Sequence, residues 1–137
     1  MPDKNANTPQ PLKPGGALPP GLPFSEGMAI GNLVLLSGQI GTLPGKRELN
    51  NATPEAEYRQ VMNNIVATLK ANGMTTKNVV RCLVMLADMK EWEAFNRVYV
   101  TYFEPPYPAR SAFGCSGLAF GARVEVECIA VRPTDPR

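Results

Sequence analysis

Histidine is absent from all 137 residues of this chain, and that absence removes whole classes of chemistry. No Ser-His-Asp arrangement exists, no His-activated cysteine, and none of the zinc ligand sets that mix imidazole with thiolate. Cysteine is scarce as well. Cys82, Cys115 and Cys128 form no CxxC pair, which reads as buried reduced thiols in a cytosolic protein rather than a disulfide framework. No stretch approaches the ~20 apolar residues of a membrane span, and residues 1–22 lack the apolar centre of a secretory signal. The expected location is cytoplasmic. Charge imbalance is also missing: 14 basic and 12 acidic residues leave a formal +2, with no stripe of Lys and Arg, which argues against a nucleic-acid partner. Chemistry must therefore come from an arginine, carboxylates, hydroxyls, thiols and backbone amides.

What remains is enough for one domain with one core, at 44% hydrophobic residues. The 14 prolines and 12 glycines crowd toward the N-terminus. Residues 1–22, rich in Pro, Gly, Asn and Lys with no apolar period, are expected to be a flexible or extended arm, with the folded domain over 23–137. Phe24 to Ile30 and Leu33 to Ser37 flank Gly31-Asn32, a two-residue hairpin signal. Thr53-Pro54 opens a helix, and Tyr58, Val61, Met62, Ile65, Val66 and Leu69 recur at helical spacing until Asn72-Gly73. Val79 to Ala87 is almost continuously apolar and reads as an inner strand. Asp88 to Glu91 matches a capping box for a second helix with Trp92, Phe95, Val98, Tyr99, Tyr102 and Phe103 on its buried side, stopped by Pro105-Pro106. Ser111 to Cys115 and Arg123 to Val131 complete the order β-β-α-β-α-β-β. The expected architecture is a two-layer α+β domain: a mixed sheet with two helices on one face. Apolar residues on both sides of the strands call for cover of the other face, most simply by self-association.

Arg110 is the first candidate for chemistry. Pro108-Ala109 fixes its approach, and the strand it begins has Ala112 and Phe113 as neighbours expected to be buried. A rigid, partly desolvated guanidinium there suits a carboxylate ligand held by two parallel hydrogen bonds; a surface ion pair is the alternative. Glu125 and Glu127 lie two apart on the last strand and share a face. Either they make a polar strand face with Arg123 as partner, or one of them, its pKa raised by burial, polarises water. Ser37-Gly38-Gln39 after an apolar strand reads as a turn or as part of a site. Asn96 inside a helix reads as a local cap or a ligand contact.

Together these segments resemble the Rid family, the reactive intermediate deaminases, also called the YjgF family. The resemblance spans Phe24 to Arg132. It rests on Ser37-Gly38-Gln39-Ile40, on Asn96 with Tyr99 and Phe103, on Pro108-Ala109-Arg110-Ser111, and on Val124 to Val131. It implies a chorismate-mutase-like fold assembled as a homotrimer with active sites between subunits. It also implies hydrolysis of small enamines and imines (2-aminoacrylate, 2-iminopropanoate, 2-iminobutanoate) to 2-keto acids and ammonia without a cofactor or metal. Arg110 then binds the substrate carboxylate and Glu125 positions water, while Phe24, Gly38, Asn96 and Ala112 complete the substrate contacts. Three departures stand out. Phe24 replaces the tyrosine common in deaminase-type members, Ala112 a frequent cysteine, and Ala119 a usual proline. The missing hydroxyl leaves open a non-catalytic module that binds 2-keto acids. Endoribonuclease or translation-inhibitor activity, a label carried by some members, is a third reading, against which the charge pattern speaks.

Overall fold

The computed structural model describes residues 7–133. Its six strands and two helices follow the sequence order, with one strand more than the pattern announced. These are β1 (Gln10–Pro11), β2 (Gly27–Ile30), β3 (Leu33–Leu36), α1 (Pro54–Ala71), β4 (Val79–Leu86), α2 (Trp92–Tyr99), β5 (Ala109–Gly114) and β6 (Val124–Val131). They form one sheet in the order β1-β2-β3-β6-β4-β5. Only β4 and β5, separated in the chain by α2, run parallel; every other neighbour is antiparallel.

Local chemistry explains the boundaries. Gly31 takes φ 59° between β2 and β3, the left-handed value a tight hairpin needs and glycine adopts without strain. Thr53 caps α1 by accepting the Ala56 N–H at 3.0 Å, with Pro54 opening the first turn. Gly73 at φ 73° closes it. Asp88 does not make the expected box. It caps a short 3₁₀ turn by accepting from Lys90, and Glu91 is drawn away to Tyr58 and Arg123.

The helices cover one face of the sheet. Val34, Leu36, Cys82, Val84, Leu86, Val124, Val126, Cys128 and Ala130 meet Tyr58, Val61, Met62, Ile65, Leu69 and Phe95 there, all buried. Tyr58 and Phe95 pack edge to face at 5.7 Å, an orientation that adds to area burial. Cys82 and Cys128 oppose each other across β4 and β6 with sulfurs 3.4 Å apart and no disulfide. The opposite face carries Leu33, Leu35, Phe113 and Val131, each more than 40% exposed. Phe113, expected to be buried, is on this face because it alternates with Ala112 along β5.

The arm corrects the sequence reading. Between residues 10 and 20 the arm is fastened to the domain, and packing does not begin at residue 23. Gln10 and Pro11 add a strand to β2, and Leu12 joins the main core. Lys13 and the Asn72 side chain exchange two hydrogen bonds of 2.9 Å, while the Gly15 N–H donates to the buried Glu26 carboxylate. Gly15 touches the α1 backbone so closely that a Cβ would meet Ala67 C at 2.6 Å. The sequence hid this because its contacts are backbone to side chain, without an apolar period. Residues 1–6 lie outside the described residues.

Candidate active site

Two groups of expected site residues emerge on opposite faces of the sheet. The first is a hollow on the face away from the helices. After β3 the chain continues as Ser37-Gly38-Gln39, and Gln39 exchanges backbone hydrogen bonds with Val126 at 2.9 and 3.0 Å. That bridge lays Gly38 against Glu125 of β6. A Cβ on Gly38 would collide with the Glu125 carboxylate, so glycine is what allows the carboxylate to occupy its place. Ser37 Oγ donates to the Ser25 carbonyl at 2.6 Å, and its N–H to the Glu26 carbonyl at 2.9 Å, holding the loop that carries Phe24. The hollow, about 540 Å³, is lined by Phe24, Gly38, Glu125 and Glu127, by Ile40, and by Leu18, Pro19 and Leu22 of the arm. Ala119 and Phe120 close another side.

Burial raises the pKa of Glu125 above the ordinary glutamate value, and the neighbouring charge of Glu127 pushes the same way. Arg123 does not relieve this, contrary to the simpler reading of the strand. Its guanidinium turns to Glu57 and Glu91 at 3.5 and 3.2 Å, and its N–H donates to Glu57 at 2.6 Å. Glu125 has no ion-pair or hydrogen-bond partner among the described residues. A half-buried carboxylate with a raised pKa and no cation beside it is equipped to take a proton from water.

The second group surrounds Arg110. In the parallel β4–β5 register Arg110 sits beside Cys82 and Ala112 beside Val84, so both residues belong to the helix face. Ala112 packs against the core. The Arg110 guanidinium carbon lies 4.7 Å from the Tyr99 ring centre and 5.9 Å from that of Trp92. Trp92 and Tyr99 are seven residues apart, two turns of α2, and therefore share a side of the helix. Phe95 and Phe103 extend the aromatic row, with ring centres 5.8 and 4.8 Å from Tyr99. Arg110 makes no ion pair or hydrogen bond among the described residues; its support is the ring faces. Asn96 on α2 keeps a buried side-chain oxygen without a partner, and the Tyr99 hydroxyl is likewise unpartnered. Burial raises the Tyr99 pKa.

Thus Phe24, Gly38 and Glu125 come together, while Arg110, Asn96 and Ala112 belong to the helix side. Among the described residues the two groups face opposite sides of the sheet. Sequence reasoning missed Leu18, Pro19, Leu22 and Phe120 as lining residues. The run Leu18-Pro-Pro-Gly-Leu-Pro-Phe24 was the available signal, an apolar segment stiffened by proline. Among the described residues no group of three or more Cys, Asp or Glu gathers as a metal-ligand set.

Comparison with known proteins identifies the family. The model of the family described as Endoribonuclease L-PSP matches residues 15–132. The chain belongs to that family, which is the Rid/YjgF family. It is 37% identical to mouse 2-iminobutanoate/2-iminopropanoate deaminase over 110 residues, 80% of this chain and 82% of the mouse protein. It is also 37% identical to Reactive Intermediate Deaminase A, chloroplastic, of Arabidopsis thaliana over 108 residues. That match covers 79% of this chain but spans only 58% of the plant protein. Among solved structures, RidA from the Antarctic bacterium Psychrobacter sp. superimposes with a TM-score of 0.82 at 34% identity, covering 89% of this chain and 98% of that one. The six-stranded mixed sheet with two helices is therefore the Rid-family fold. No helix among the described residues is long and apolar enough to cross a membrane.

Proposed function

We propose that this Rid-family protein hydrolyses 2-imino acids, and their enamine tautomers, to 2-keto acids and ammonia, at sites formed between copies of the chain. The observation that carries the reading is the pair of uncompensated charges: Glu125 in an apolar hollow, Arg110 over aromatic rings, on opposite faces of one sheet. A homotrimer that brings the Arg110 edge of one copy to the hollow of the next gives each charge a task, and buries the apolar face bearing Leu33, Leu35 and Phe113. The names of the mouse and plant relatives support the chemistry.

In this scheme Arg110 takes the substrate carboxylate in a bidentate bond, which turns the imine carbon toward the hollow. Glu125 accepts a proton as water adds to that carbon, giving a carbinolamine. Glu125 returns that first proton to the imine nitrogen to complete the carbinolamine, then carries the hydroxyl proton to the same nitrogen, so that ammonia leaves as the carbonyl forms. The imine carbon is already electrophilic, so alignment of acid, water and base supplies most of the acceleration. The residues need no cofactor for these steps.

The direct test is to generate 2-iminopropanoate or 2-iminobutanoate in situ and follow its decay. Intact protein should accelerate it and Arg110→Ala should not; no acceleration, or full activity in the variant, sinks the proposal. Phe24 motivates a second reading, a 2-keto acid binding module without turnover. Saturable 2-keto acid binding with no deamination would select it, and recovery of turnover in Phe24→Tyr would locate the cause. RNA cleavage fits poorly, because Glu125 and Glu127 in the hollow would repel a phosphate backbone.

A further inference from the structure

We infer that the hollow selects 2-imino acids with branched-aliphatic, thioether or aromatic side chains over those with a methyl or ethyl group; the inference rests on the deaminase reading above and names its substrate class. Leu22, Phe24, Ile40 and Phe120 line a space of about 540 Å³ whose charged groups are confined to Glu125 and Glu127 on one strand. A methyl group would touch little of the apolar wall that this chain contributes to the shared site. Each further methylene brought against it is worth about fourfold in binding.

The wall is built in place. Leu18 and Leu22 belong to the arm, which the Lys13–Asn72 pair and the Gly15–Glu26 bond fasten to the body, so the space is held open rather than collapsing around a small ligand. Phe120 adds an independent sign. Its backbone is at φ 59°, ψ 15°, a left-handed conformation unfavourable for a bulky aromatic, and its ring is half exposed at the rim. A surface turn with no further role gains nothing from an aromatic residue in that conformation; a pocket rim does. Charge sets the opposite boundary. The lining that one chain supplies includes no cation, and the Arg110 of the next copy is taken by the substrate's own carboxylate. Glu127 sits beside Glu125, so a side chain ending in a second carboxylate would meet like charge.

The test compares imines generated in situ from alanine, 2-aminobutyrate, leucine, methionine, phenylalanine and glutamate. The leucine- and methionine-derived imines should exceed the alanine-derived one at least about tenfold in kcat/KM, with the glutamate-derived imine poorest. Phe120→Gly, which relieves the backbone, and Leu22→Ala should each lower the leucine-to-alanine ratio at least about threefold. Calorimetric binding of 4-methyl-2-oxopentanoate and pyruvate supplies a readout that does not need turnover. Turnover with equal or reversed preference overturns the inference and leaves the deaminase reading standing. Absence of turnover with much tighter 4-methyl-2-oxopentanoate binding sinks the deaminase reading and upholds the selectivity of the hollow. Neither turnover nor selective binding overturns both.

Discussion

The Glu125 carboxylate stands among apolar side chains with no cation to balance it, whereas the Arg110 guanidinium lies over two aromatic rings with no anion to receive it. Glu57, fully buried, is instead built into the fold: one carboxylate oxygen accepts the Arg123 backbone N–H, and the Arg123 guanidinium lies 3.5 Å from the other. Stabilising the fold therefore explains Glu57 and Arg123 but neither Glu125 nor Arg110. The contrast teaches that the two unmatched groups are reserved for something outside the single chain. A ligand that is negative at one end and waiting for a proton acceptor at the other answers both.

The largest effect should come from the hollow. Glu125→Gln is expected to lower kcat by a factor on the order of 10²–10⁴, the usual worth of a positioned base. The pH profile carries the sign. The working form of Glu125 is ionised, so activity is present above its raised pKa and lost as pH falls through it, at a higher pH than an ordinary glutamate would give. Glu125→Gln should abolish that acidic limb, and a limb that persists in the variant would assign it to another group. On the arginine side, Arg110→Ala should cost on the order of 100-fold in kcat/KM, through lost hydrogen bonds to a charged carboxylate. Arg110→Lys keeps the charge but loses the fork, and should remain at least about tenfold impaired.

Mixing the two inactive proteins breaks or sharpens the comparison most cleanly. If each site takes Arg110 from one copy and Glu125 from the next, unfolding and refolding Arg110→Ala with Glu125→Gln in equal amounts should restore about a quarter of wild-type activity by random assortment. Sites contained within single chains would restore none. The smallest effect belongs to the rings beneath the arginine. Trp92→Ala should raise KM by about two- to fivefold with kcat nearly unchanged, since an exposed cation–π contact is worth roughly 0.5–1 kcal/mol. Trp92→Phe should recover most of the loss, and an equal fall in kcat instead would mean that Trp92 does more than orient Arg110.

Much of the fold was legible because periodicity and punctuation agreed. Thr53-Pro54 and Asn72-Gly73 bracket α1 as expected, Gly31 turns the hairpin, and β4 and β6 follow their apolar patterns to within a residue. The helix side was legible in the same way, through the aromatic residues of α2. The arm was not. Gln10 and Pro11 pair through backbone groups, and Gly15 is held by a carboxylate far from any motif, so nothing in their side-chain pattern announces order. The faces of Arg110 and Glu125 were only half legible. Alternation along β6 placed Glu125 with Glu127, but the side on which Arg110 falls depends on the β4–β5 register, a long-range pairing that one strand's pattern does not contain. For the same reason the strand pattern matches Arg123 with its strand neighbours, whereas the fold turns it to Glu57 and Glu91.

The two-residue strand Gln10–Pro11 has a consequence in mechanical terms. It is the first hold the described chain takes on the body, and the segment that follows it forms a wall of the hollow. Tension applied at the N-terminus, or another edge competing for β2, would first load the Lys13–Asn72 and Gly15–Glu26 fastenings and, past them, reach Leu18 and Leu22. The volume open to a substrate could then change while Glu125 stayed where it is. In this molecule the dimensions of the hollow depend on how the arm is fastened.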